Sequence, residues 1–285
     1  MHSHSTMSLY ADPPDWAFVT LGELMRWPLP YQDGFADRCL VRAMALAARG
    51  RVLAVSGLQN VRAGYDPFIL ALNHSTRTEA LLVPAVLTLH RGGRLIHFMA
   101  DWNFRLIPGI GLLYRRSGAL TVTAKPARPR VLDLLRPLYR SHGTVLDEAR
   151  ACLLRGRSVG IFVEGTVNRD PERLLPGRRS AALLSLETGV PIVPVGIRFP
   201  HATPGRPIGD RDAMEVRIGP PLLPRERLDH PSPAALRAWH ATVMGEIARL
   251  SGKQWSPDAP SGRGIVAPPP TPAPALLPPS FGGSP

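Results

Sequence analysis

Cysteine is nearly absent from this chain. Cys39 and Cys152 are the only two in 285 residues, and neither has metal-ligand spacing around it. Two isolated thiols make neither a disulfide framework nor a zinc site, so the cytoplasm is the expected setting. Lysine is as scarce: apart from Lys125 and Lys253, all of the 34 basic residues are arginine. Aromatic residues make up 6%, which leaves few rings for base stacking. No recognition motif accompanies them, and nucleic acid is not an expected partner. No stretch reaches the roughly 18 uncharged apolar residues that would span a bilayer; "ALLVPAVLTLH" (80–90) is too short. The opening "MHSHSTMSLYADPPDW" has no basic start followed by an apolar run, so no secretory signal is expected.

What is present is a globular composition, with 44% hydrophobic residues and a mean hydropathy of −0.02. The length allows one large domain with a substantial core. A net charge of +12 draws such a surface to polyanions, here an anionic lipid headgroup layer. The expectation is a cytoplasmic protein that associates peripherally with membranes.

The chain divides into four parts. Residues 1–15 read as a flexible N-terminus, and 16–50 as a helical segment ending at Gly50. Residues 51–252 alternate strands with helices, and 253–285 read as a disordered, Pro-rich tail. Strands are expected at 51–56, 67–72, 94–99, 118–123, 158–163, 190–197 and 214–218. Helices are expected at 76–90, 144–155, 178–188 and 232–251, with a broken helical region at 129–140. Such alternation predicts an α/β fold: a single layered domain with a largely parallel, mixed sheet flanked by helices, plus the N-terminal helical extension. Ligands in such sheets bind beyond the carboxyl ends of the strands, so the residues just after each strand are the ones to weigh.

After 67–72 comes Asn73-His74, and Glu79 follows five residues later. Inside one helix the two side chains would stand about 140° apart. With His74 in the turn before the helix, and Ser75 or Thr76 as cap, Glu79 can reach back to the imidazole. A carboxylate on one ring nitrogen fixes the tautomer and leaves the other as a base. No Ser or Cys nucleophile stands beside the pair, so such a base would activate a substrate hydroxyl. The spacing also allows a histidine that merely caps a helix beside an incidental exposed glutamate. After 158–163 comes Glu164-Gly165-Thr166, a turn whose amides and hydroxyl can hold an anion, with Arg169 nearby. Alone, it is also an ordinary strand exit.

The order Asn-His-x-x-x-x-acid, then a strand-borne Glu-Gly-Thr, then "GVPIVPVGI" (189–197), resembles the glycerolipid acyltransferase family. Its best-known members are lysophosphatidate acyltransferases. The resemblance covers roughly 50–200 and includes "LIPGIGLLYRRSGALTV" (106–122). It implies that His74 deprotonates an acceptor hydroxyl, which attacks an acyl thioester, and that Glu79 stands where the family usually has aspartate. It also implies a substrate-binding set of Asn73, Gly118, Lys125, Arg115, Glu164, Gly165, Thr166 and Arg169, with Pro191 and Pro194 as pocket wall. The family's arginine columns hold Ala124 and Val167 here, and Arg178 and Arg179 begin a helix where basic residues are common. The implied reaction moves a fatty acyl group from acyl-CoA or acyl carrier protein to a lyso-lipid, with lysophosphatidate as first choice. An acceptor without a phosphomonoester, such as a lyso-amino-acid lipid, stays open, as does a weakly catalytic lipid-binding homologue. The thioester is a substrate; no cofactor and no metal are expected.

Overall fold

A computed structural model describes residues 16–103, 115–123, 134 and 143–258. The sheet has seven strands among them: β1 (Val52–Ser56), β2 (Ile69–Leu72), β3 (His97–Asp101), β4 (Leu120–Val122), β5 (Val159–Phe162), β6 (Ile192–Arg198) and β7 (Met214–Ile218). Their spatial order is β1-β7-β6-β2-β5-β3-β4. From β6 to β4 all neighbours are parallel, whereas β7 runs antiparallel to β6 and carries β1 parallel to itself. The sheet is thus mixed and largely parallel, as expected. The region 129–140, except 134, and Lys125 lie outside the described residues.

β2 sits at the centre, between β5 and β6. A strand covered on both faces must be apolar at every position, which is why "FILAL" does not alternate. Ile69 and Ala71 face one core, built with α4 (Val145–Leu154), α5 (Ser180–Thr188) and α6 (Pro233–Ser251). Leu70 and Leu72 face the other, with α2 (Phe35–Ala48) and α3 (Glu79–His90). Helix α4 starts on a Thr144–Asp147 capping box.

The N-terminal segment divides by burial. Trp16 and Leu24, the latter in α1 (Leu21–Arg26), are buried in the core that holds Leu70 and Leu72. Phe18, Leu21, Met25 and Phe35 are exposed, Phe18 and Phe35 at 77% and 82%.

The end of the domain lies later than residue 252. Gly252 caps α6 in the left-handed conformation. The three residues beyond it then bond into the loop that follows β5: Lys253 to Asp170, Gln254 to Glu172 and Leu174, and Trp255 to Pro176. A tail boundary at 253 is therefore corrected, because composition does not register these main-chain and side-chain bonds.

Candidate active site

The loop between β2 and α3 carries the histidine. Glu79 is the first residue of α3, and Thr78 at the cap position makes no capping bond; its hydroxyl donates to the Asp210 carbonyl at 2.9 Å instead. Of the two expected caps, Thr76 bonds to the start of the helix, and Glu79 itself reaches back past it. The Glu79 carboxylate turns back over the loop and accepts from His74 Nδ1 at 2.7 Å and from the Ser75 amide. Thr76 Oγ1 meanwhile accepts from the Glu79 amide at 3.3 Å. An acidic residue at this end of a helix is also favoured by the helix dipole. Glu79 is fully buried, while the His74 side chain keeps 15% of its surface. With Nδ1 taken by the carboxylate, Nε2 is the ring nitrogen left for chemistry. The ring packs on Phe162 at the end of β5, with centroids 4.5 Å apart.

Glu164 is buried and does not line the cavity described below. Its Oε1 accepts from the His74 amide at 2.9 Å, and its Oε2 accepts from Asn168 Nδ2 and the Leu175 amide at 2.7 and 2.9 Å. The Asn168 amide closes the circuit on the His74 carbonyl at 2.7 Å. Burial pushes the Glu164 carboxyl above the usual carboxylate range, opposed by the His74 and Leu175 amides, the Asn168 side chain and the charge of Lys253. Its expected role in substrate binding is thus corrected to that of a buried tie between the loops after β2 and β5.

Five other expected site residues change in role for similar reasons. Asn73 is fully buried and bonds both ways to the main chain of Ile197, at 2.7 and 3.0 Å, fixing the end of β2 to β6. Pro194 is buried within β6 opposite Ala71, and Pro191 precedes that strand; neither lines the cavity described below. Gly118 turns the chain at φ 61°, and its missing Cβ leaves room for His97, whose Nδ1 donates to the Gly118 carbonyl at 2.9 Å. Arg115 is exposed and off the cavity, while Arg116 lines it and pairs with Asp37 of α2.

One cavity of about 1170 Å³ opens beside His74. Its polar end holds Arg77, Gly165, Thr166, Arg169 and Arg178. Its other walls mix apolar side chains, Leu40, Val41 and Met44 from α2, Leu81 and Pro84 from α3, and Ile96 and Phe98 at β3, with polar ones that include Asp37, Asp101 and Arg116. Arg169 is held in place: it donates to the Ile208 carbonyl at 2.5 Å and to Asp210 at 2.6 Å. Asp210 also accepts from the Arg77 amide at 2.9 Å, so one acidic loop fixes both positions. Gly165 has φ 67°, and a side chain there would collide with the Arg178 guanidinium, which lies across the turn. Among the described residues no carboxylate pairs with Arg178. No group of three His, Cys, Asp or Glu residues among them has metal-binding geometry.

Residues 52–198, just over half of the chain, match the sequence model of the family described as Acyltransferase. The chain belongs to the acyltransferase family. A relative from Brassica napus, "1-acyl-sn-glycerol-3-phosphate acyltransferase BAT2, chloroplastic", is 28% identical over 141 residues, which are 50% of this chain and 36% of that protein. The chain therefore matches about a third of that relative's length. Among solved structures, the 1-acyl-sn-glycerophosphate (LPA) acyltransferase PlsC from Thermotoga maritima superposes with a TM-score of 0.51 at 21% identity. The match covers 78% of this chain and 83% of that one, and at this identity it shows the fold. For this acyltransferase, Arg77 and Lys253 are the site residues that motif reading passes over. Arg77 had a signal, a basic residue inside the His74–Glu79 loop; Lys253 had none.

Proposed function

We propose that this acyltransferase moves a fatty acyl group from an acyl thioester to the free hydroxyl of lysophosphatidate. The observation that carries the reading is the His74–Glu79 pair on a cavity lined by both arginines and apolar side chains. His74 Nε2 takes the hydroxyl proton as the oxygen attacks the thioester carbonyl, and Glu79 stabilises the imidazolium that forms. The tetrahedral intermediate collapses with loss of the thiolate, which takes the proton back from His74. The acyl chain occupies the apolar walls, and the acceptor phosphate meets Arg77 and Arg178, with Thr166 beside them. The printed name of the Brassica napus relative, a 1-acyl-sn-glycerol-3-phosphate acyltransferase, supports this acceptor. Acyl-CoA and acyl carrier protein both carry the required thioester.

The test is a panel: purified protein with labelled acyl-CoA or acyl carrier protein, and lyso-lipids differing only in headgroup. Lysophosphatidate is expected to give the highest kcat/KM. Preference for a lyso-lipid lacking the phosphomonoester would overturn the acceptor assignment and leave the transfer chemistry standing.

The exposed Phe18, Leu21, Met25 and Phe35 and the net positive charge support docking on an anionic bilayer. No helix among the described residues is long and apolar enough to cross a membrane. Vesicle sedimentation is expected to show binding that weakens as salt rises from 0.05 to about 0.5 M. Retention through high salt and alkaline wash would contradict peripheral attachment.

A further inference from the structure

Lys253 plays no part in the chemistry above, and the family match ends far before it, at residue 198. The lysine follows the left-handed Gly252 that ends α6 and is only 6% exposed. Its Nζ donates to Ser75 Oγ at 2.8 Å and to the Asp170 carbonyl at 2.7 Å. Ser75 directly follows His74, and its amide is bonded to Glu79. The ammonium thus reaches the underside of the turn that carries the base. The charged groups acting on it are the carboxylates of Glu164, Glu79 and Asp170. The first two are buried, and both bond to His74. Arg77, Arg116, Arg169, Arg178, Asp101 and Asp37 line the cavity that His74 faces.

We propose that Lys253 is a positioning residue for His74: a buried countercharge to Glu79 and Glu164 that pins the Ser75 turn and sets how readily the site gives up its proton. The proposal rests on the reading of His74 as the base. Two carboxylates buried behind an imidazole, without a cation, favour a site that keeps a proton. Whether that proton sits on His74, Glu79 or Glu164, the base is spent or its support is lost. Removing one nearby positive charge raises the proton affinity of the coupled set as a whole, wherever the proton settles. Burial works against the ammonium and lowers its pKa, and Glu164, Glu79 and Asp170 oppose that shift.

Three proteins test this: wild type, Lys253→Met and Lys253→Arg. Two readouts are taken, the acid limb of kcat/KM and the pH midpoint of the His74 ring signal in NMR, assigned by its loss in His74→Gln. In Lys253→Met both are expected to move to higher pH by about one unit, the scale of a neighbouring charge. Turnover below the limb should fall about tenfold with it. Lys253→Arg, which keeps the charge, should retain the wild-type midpoints. A folded Lys253→Met with both midpoints unchanged overturns the proposal. If Lys253→Met does not fold, Lys253→Gln takes its place. Failure of both to fold, with Lys253→Arg folded and unshifted, supports a requirement for charge. Failure of all three shows a packing role and overturns it. If wild type transfers no acyl group, the acyltransfer reading falls, and the ring titration still decides the countercharge.

Discussion

His74→Ala is expected to lower acyl transfer by about 10²–10⁴-fold, the usual contribution of a general base, while the protein still folds. The structural reason for the second half is that the loop is held through main-chain atoms. The His74 amide and carbonyl bond to Glu164 and Asn168, and alanine keeps both. The thermal transition of the variant should therefore stay near that of the wild type while turnover disappears. Glu79→Gln should be milder. An amide oxygen can still accept from His74 and Ser75, but it offers no charge to the imidazolium. Glu79→Asp should be worse than its chemistry suggests, because Glu79 spans back from the first helical position to two donors at once. Near-normal turnover in His74→Ala, measured as product per enzyme at saturating substrate, would remove His74 from the reaction.

The Arg77→Ala/Arg178→Ala double variant is expected to lose about 10²–10⁴-fold in kcat/KM on lysophosphatidate. Each charge-assisted contact to a phosphate contributes roughly 1.5–3 kcal/mol, and every 1.36 kcal/mol or so is a factor of ten in rate. On an uncharged acceptor, such as a monoacylglycerol, the same variant should change by only a few-fold. Arg169→Ala should behave differently. Its guanidinium braces Ile208 and Asp210, and Asp210 holds the Arg77 amide, so its loss should disturb both acceptors alike. Equal losses on both acceptors in the double variant would show that these arginines support the loops rather than bind phosphate.

The sequence made the frame of the site readable and left its roles partly hidden. The β2 run Phe68–Leu72 stood out because a strand buried on both faces has to be apolar throughout. Helix geometry allows the His74–Glu79 pairing without requiring it, since residues five apart cannot face each other within one helix but can across its start. The role of Glu164 is not legible in the sequence. A carboxylate at a strand exit looks like a ligand contact, and only the three donors folded around it show that it is internal. Asn73, Pro191 and Pro194 were assigned to substrate for the same reason: a motif marks that a position matters, without saying which way its side chain points. The proposed phosphate contacts fall on Arg77 and Arg178 because Arg169 is already engaged by Asp210, 41 residues away. Lys253 was out of reach. It stands after a helix cap at the edge of a Pro-rich tail, and its 178-residue separation from Ser75 leaves no local pattern.

The most direct measurement follows the label. Purified protein, an acyl thioester labelled in the acyl chain, and lysophosphatidate are incubated, and the lipid products are separated and identified by mass. The account predicts label in phosphatidate, release of one thiol per acyl group transferred, and neither event above background with His74→Ala. Label that appears only as free fatty acid, or phosphatidate formed equally well by His74→Ala, would contradict it.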